Sequence, residues 1–146
     1  MGFINKLLGS RAAQGLARDT QVLTLAPAVM RMSIGGKDAT TELDALSAAV
    51  AKLGYPEGFS PERVFAAASE LVRMIGAGGV TALTDKMKAD LTPEARADAM
   101  RLALTAAFCS PLRDSGDIGI LASMAEQIGI DHAAFETLFE AAKALH

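Results

Sequence analysis

The sequence contains no tryptophan, one tyrosine, one cysteine and two histidines among its 146 residues. A lone thiol, Cys109, has no partner for a disulfide, which excludes a secreted disulfide scaffold and every multi-cysteine zinc site. His132 and His146 are too few for a histidine-rich metal site. A chain of this length can bury about two-thirds of its unfolded surface, so it needs no structural metal or disulfide. Because it has no disulfide framework, we expect a cytoplasmic protein.

Clustered positive charge and stacking aromatics are also missing, which excludes the usual nucleic-acid binders. The net charge of −3 divides into +4 over residues 1–37 and −7 over the remainder, and aromatic residues make up 5% of the chain. An acidic body gains no affinity for a polyanion by counterion release. No apolar run reaches the length of a membrane span, and the first residues lack the apolar stretch of a secretory signal. The sequence thus predicts neither nucleic-acid binding nor export by that route.

Alanine is abundant, with 29 residues, and together with few β-branched residues it favours helix over sheet. Apolar residues recur at intervals of three and four between turn signals. We predict an all-α, compact single-domain bundle of about seven to eight helices around a central apolar helix. The central helix contains MRLALTAAF, from Met100 to Phe108. Residues 1–19 form an N-terminal amphipathic segment before a helical domain at 20–146.

Capping residues mark where the helices begin and end. Asp131, Thr92-Pro93 and Ser60-Pro61 each open a helix, and Gly54 closes one. After Ser60 the spacing predicts a helix that ends at a glycine cluster, followed by a further helix over 80–90. The inward face of the first helix consists of Val64, Phe65, Ala68, Leu71, Val72 and Ile75. The cluster Gly76-Ala77-Gly78-Gly79 could instead approach a phosphate, but it follows a helix and lacks the partners of nucleotide loops, which favours a helix end.

A faint internal repeat appears when the chain is shifted by 75 residues. The shift lays Gly54 on Gly129 and Glu42 on Asp117, and it also pairs Leu46 with Leu121. Each half then has a loop, an acidic residue entering a helix, a glycine stop and a second helix. Chance agreement between two amphipathic helices is an equally good explanation.

Two segments carry a family resemblance. The first, IGGKDATTELDALSAAVAKLGY, contains Gly36 and Glu42. The second, AFCSPLRDSGDIGILASMAEQIGIDHAAFETLF, contains the acidic residues Asp114 and Asp117. They resemble the TerB-like family of bacterial tellurite-resistance proteins, which includes the N-terminal region of a membrane-anchored co-chaperone. Members carry Ala-Asp-Gly and then a helix with an early Glu, once in each half. The opening MGFINKLLG is also similar to that of several members.

This chain departs from the family pattern in both loops. Gly35 stands where the family has Asp, Ser110-Pro111 replaces Asp-Gly, and Asp117 substitutes for the second Glu. The resemblance spans roughly residues 20–145. It implies an all-helical fold and a non-catalytic protein-interaction module of the tellurite or stress response, whose partners are other proteins, a second copy of the chain included.

Acidic residues in the two loops suggest an alternative function as a calcium sensor or buffer. Hard divalent cations bind several converging oxygens, and the candidates are Asp38, Glu42, Asp114 and Asp117. The competing interpretation, which we favour, is that Asp38 and Asp114 cap helices while Glu42 and Asp117 lie near positive helix ends. No other cofactor is predicted.

The usual ingredients of an enzyme site are missing. Cys109 follows an apolar run without a neighbouring base, and neither histidine has a triad partner nearby in sequence. We therefore predict no enzymatic activity. In the N-terminal segment, the apolar residues Phe3, Ile4, Leu7 and Leu8 could contact an anionic membrane surface or a second copy. Membrane contact through residues 3–18 is the less favoured alternative.

Overall fold

The computed structural model describes residues 20–145, so the amphipathic segment predicted at 1–19 and the terminal His146 lie outside the described residues. Six helices follow one another in this range, without a strand. They are α1 (Ala26–Gly35), α2 (Ala39–Leu53), α3 (Pro61–Asp90), α4 (Pro93–Cys109), α5 (Ser115–Gln127) and α6 (His132–Leu145). The predicted all-α class is confirmed. Residues 20–23 are helical as well, and the total of seven to eight helices for the whole chain stays a prediction.

Most helix ends lie where the capping residues placed them. The Ser60 and Thr92 hydroxyls accept the backbone N–H groups of Arg63 and Ala95, at 3.2 and 3.1 Å. The Asp131 carboxylate accepts the N–H of Ala134 at 2.8 Å. Each contact satisfies one of the N–H groups that a helix start leaves without a partner. The local sequence is therefore enough to predict these helix starts.

The structure supports the predicted break between helices at residues 60–75 and 80–90. α3 (Pro61–Asp90) consists of two helical stretches that meet at a kink at Gly79, which has φ 83° and ψ 172°. A φ of this sign is unstrained only for glycine. Gly79 departs from helical geometry, so the first helical stretch ends within the glycine cluster, where the sequence predicts it, and the second begins directly after it.

The core lies where α1 and α4 meet the other helices. α4 packs against α1, α2, α5 and α6, and α1 packs against α2, α3, α4 and α5. Seven consecutive residues of α1, from Ala26 to Met32, are buried, as are eight residues of α4 between Ala99 and Ala107. Burial therefore does not distinguish α4, predicted as the central helix, from the shorter α1.

The predicted inward face of α3 is wrong at two positions. Val64 and Leu71 are buried as expected, but Phe65 is 60% exposed and Val72 is 46% exposed. Successive residues are about 100° apart around a helix. The buried residues occupy one narrow arc, and Phe65 and Val72 lie on the next arc, which faces solvent.

We expect Leu104→Ala to lower the free energy of unfolding by about 2–5 kcal/mol, because it leaves a cavity at a fully buried position of α4. The control Lys52→Ala, at an exposed position of α2, is expected to change it by less than about 0.5 kcal/mol. Denaturant unfolding of both variants measures the difference. Equal effects would contradict the burial of α4.

Candidate functional site

Two of the four predicted metal-binding carboxylates meet at one buried guanidinium. Arg31 lies in α1 and donates from Nη2 to Glu42 Oε2 of α2 and from Nη1 to Asp117 Oδ1 of α5, the latter at 3.0 Å. All three side chains are at most 1% exposed. Burial of unpaired charge is costly, so these groups stabilise the fold only as a set.

The remaining oxygens of these carboxylates also have partners. The Ser110 hydroxyl donates to Glu42 Oε1 at 2.7 Å. The backbone N–H of Asp114 donates to Asp117 Oδ2 at 2.8 Å, as part of a capping box at the start of α5. Every carboxylate oxygen of Glu42 and Asp117 therefore accepts a hydrogen bond from the protein itself.

A second cation, Lys37, lies at the edge of this cluster. Its Nζ is 2.5 Å from Asp114 Oδ2, 2.8 Å from the Leu112 carbonyl oxygen and 3.9 Å from Asp117 Oδ2. The hydrogen bond to Asp114, with the nearby carboxylates, raises the pKa of Lys37, and the same bond lowers the pKa of Asp114. With Lys37 and Asp114 included, two cations face three carboxylates, so Lys37 does not cancel the negative charge that Arg31 leaves.

The fourth predicted residue, Asp38, does not join the cluster. Its carboxylate caps α2 and accepts the backbone N–H of Thr41 at 2.9 Å and the Thr41 hydroxyl at 2.8 Å. These two hydrogen bonds lower the pKa of Asp38. Among residues 20–145, no group of three or more His, Cys, Asp and Glu side chains is arranged to hold a metal ion. The geometry thus supports capping and ion pairing at these four positions.

Arg31 is the residue of this cluster that sequence reasoning missed. It is the one charged residue within the helix APAVMRMSIG. A charge in an otherwise apolar helix signals a buried ion pair, because an unpaired ion is costly to bury. Its partners could not be identified in the same way, since Asp117 lies 86 residues further along the chain.

We expect Arg31→Met to destabilise the protein by about 3–5 kcal/mol, because it leaves two carboxylates buried without their cation. The control Lys86→Ala removes an exposed ion pair to Asp90 within α3 and is expected to cost about 0.5 kcal/mol or less. Adding Glu42→Gln and Asp117→Asn to Arg31→Met should recover part of the loss in a urea titration. No recovery would show that lost volume, and not lost charge, is responsible.

We expect calorimetric titration of calcium into chelator-treated protein to show no binding tighter than about millimolar, because the buried carboxylates are already bound to Arg31. A micromolar isotherm that disappears in Asp114→Asn plus Asp117→Asn would instead support the calcium-sensor alternative. A variant that leaves the cluster intact, Asp44→Asn on the exposed side of α2, is the control.

The second candidate site is the exposed face of α3. Phe65 and Val72 lie one above the other on this face, two turns apart. By length and composition α3 could also cross a membrane, with 22% of the qualifying window buried in the protein, which corrects the expectation that no segment reaches that length. Core helices of soluble proteins pass the same test, so this result assigns no location.

Cys109 and His132, for which no catalytic role was predicted, lie apart from both sites. Cys109 is half-buried at the end of α4. His132 begins α6, is exposed and lies 3.1 Å from Glu136 in the next turn. A shallow groove of about 700 Å³ runs between α5 and α6, with Glu126, Asp131 and His132 along its rim. Nothing in these positions pairs the thiol with an imidazole.

Comparisons of the chain with protein-family profiles, with curated proteins and with solved structures found no match.

Proposed function

We propose that this chain is a non-catalytic, cytoplasmic protein-interaction module related to the TerB-like proteins of tellurite and stress response. The observation that carries the proposal is the exposed apolar face of α3. Phe65 exposes 60% of its surface and Val72 exposes 46%, although the neighbouring face of the same helix is buried in the core. Apolar residues scattered singly on a surface need no explanation, but two aligned on one helix face form a contact stripe.

The energetics of this stripe fit association. Transferring a phenylalanine or valine side chain from water to a packed interface contributes about 1.5–3 kcal/mol. Aromatic anchors of this kind supply much of the binding energy of protein interfaces. The Arg31 cluster supports the non-catalytic part of this proposal. Its two buried carboxylates accept a hydrogen bond at every oxygen, so they serve the structure.

The proposed kinship draws support from the way the two halves meet at Arg31. Glu42 and Asp117, which the 75-residue shift superposes, bind the two ends of one guanidinium. The same shift lays Gly35 on Ser110, and the Ser110 hydroxyl of the second half donates to Glu42 of the first half. Crossed contacts are what a two-fold arrangement of duplicated halves would produce, so we include the repeat in this proposal.

We expect a photo-crosslinking amino acid introduced at Ser69, between Phe65 and Val72 on α3, to form a covalent adduct with a protein in the native cells. The matched control places it at Ala133, an exposed position of α6. Phe65→Ser should lower the adduct yield at position 69 at least tenfold, because it removes the larger anchor. Absence of any protein adduct at position 69, or equal yields at 69 and 133, would overturn the proposed interaction surface.

A further inference from the structure

The exposed face of α3 has the spacing of a helix-pairing seam. We define the α3 seam as five residues separated by intervals of three, four, three and four: Glu62, Phe65, Ser69, Val72 and Gly76. All five are exposed. Residues at alternating intervals of three and four form the contact line between two packed helices, and Phe65 and Val72 are the two apolar members of this one. The α3 seam runs parallel to the buried line that includes Val64 and Leu71, so one helix presents two separate contact lines.

We propose that a second copy of this chain covers the α3 seam, with the two α3 helices antiparallel around a two-fold axis near Ser69. This proposal rests on the proposed interaction function and specifies its partner. Phe65 and Val72 lie equally far, about 5 Å along the helix, on either side of the midpoint between them. A two-fold axis at that midpoint therefore places Phe65 beside the partner's Val72, and the reverse contact forms by symmetry.

Small residues allow the two helices to approach closely. Ser69 lies next to the proposed axis, where the helices cross, and Gly76 lies at the end of the α3 seam. A Cβ added to Gly76 would meet nothing within 4 Å, so the chain's own fold leaves this position open. Neither residue has a bulky side chain that would hold the partner helix away from the two apolar pairs.

Two charges favour the antiparallel pairing of two copies. Glu62 is the first residue of the α3 seam and Arg73 lies beside its end on the same edge, and neither has an ion-pair partner among residues 20–145. The antiparallel two-fold brings Glu62 next to the partner's Arg73, with an offset of about 3 Å along the axis that long side chains can span. Parallel pairing would instead bring Glu62 to the level of the partner's Glu62, and like charges disfavour it.

Sedimentation velocity of the full chain, from low micromolar to several hundred micromolar, tests the proposal. The α3 seam extends over about 21 Å, which is short for a stable interface, so we expect a dimer with a dissociation constant on the order of 10 µM. Phe65→Ser should weaken it at least tenfold. Leu145→Ser, which removes an exposed apolar side chain on α6, is the matched control and should leave the dissociation constant unchanged.

A charge exchange tests the antiparallel orientation. Glu62→Arg alone and Arg73→Glu alone should each weaken the dimer severalfold, because each brings like charges together across the axis. The double variant Glu62→Arg plus Arg73→Glu should restore most of the affinity. Failure of the double variant to regain affinity would overturn the antiparallel pairing, and circular dichroism of all three variants confirms that they remain helical.

The remaining outcomes separate this inference from the proposed function. A wild-type chain that stays monomeric, with an adduct at position 69 to a different protein, would overturn the second copy as partner and keep the interaction function. A dimer that survives Phe65→Ser and disappears on deletion of residues 1–18 would place self-association in the N-terminal segment, and the inference would be wrong. Absence of both dimer and adduct would overturn both proposals.

Discussion

The arrangement of the helices depends on the guanidinium of Arg31, which is buried between the carboxylates of Glu42 and Asp117. Three charges removed from water at one point carry a desolvation cost of several kcal/mol per ion, which their close pairing must offset, while the buried Nε of Arg31 has no hydrogen-bond partner among the described residues. The contacts must therefore form together, and they bring α1, α2 and the start of α5 to one position. Ser110 adds the end of α4 through its hydroxyl. The cluster specifies which helices meet, in addition to any stability that it contributes.

The position of Arg31 also accounts for the burial of so short a helix. α1 has ten residues, and it begins with a proline in its first turn, so its own hydrogen bonds supply little stability. It contacts four of the other helices of the described range. Apolar side chains such as Val29 and Met30 fill the core around it, while Arg31 binds the carboxylates of Glu42 and Asp117. In this way a helix that would be unstable alone becomes a packing centre.

Sequence reasoning succeeded where the decisive contact is local and failed where it is not. The caps at Ser60, Thr92 and Asp131 involve residues three apart, so residue type and order were enough to identify them. The Arg31 pairs join residues that are distant in sequence, and only the fold shows that they meet. Of the four acidic residues, Glu42 and Asp117 meet at Arg31, Asp114 pairs with Lys37, and Asp38 lies apart as a helix cap. The metal alternative stays a prediction for the calcium titration to test.

The kink at Gly79 separates the exposed face on the first half of α3 from the buried face on its second half. From Phe65 to Leu83 there are 18 residues, or about five full turns of an unbroken α-helix, so both would occupy the same face. Leu83 is nevertheless 2% exposed and Phe65 is 60% exposed. The change of direction at Gly79 turns the second half of α3 so that its apolar residues reach the core. The first half is already anchored by Val64 and Leu71, and its Phe65 face stays outside. One glycine with a positive φ thus divides a single apolar stripe into a buried part that completes the fold and an exposed part that is free to contact another protein.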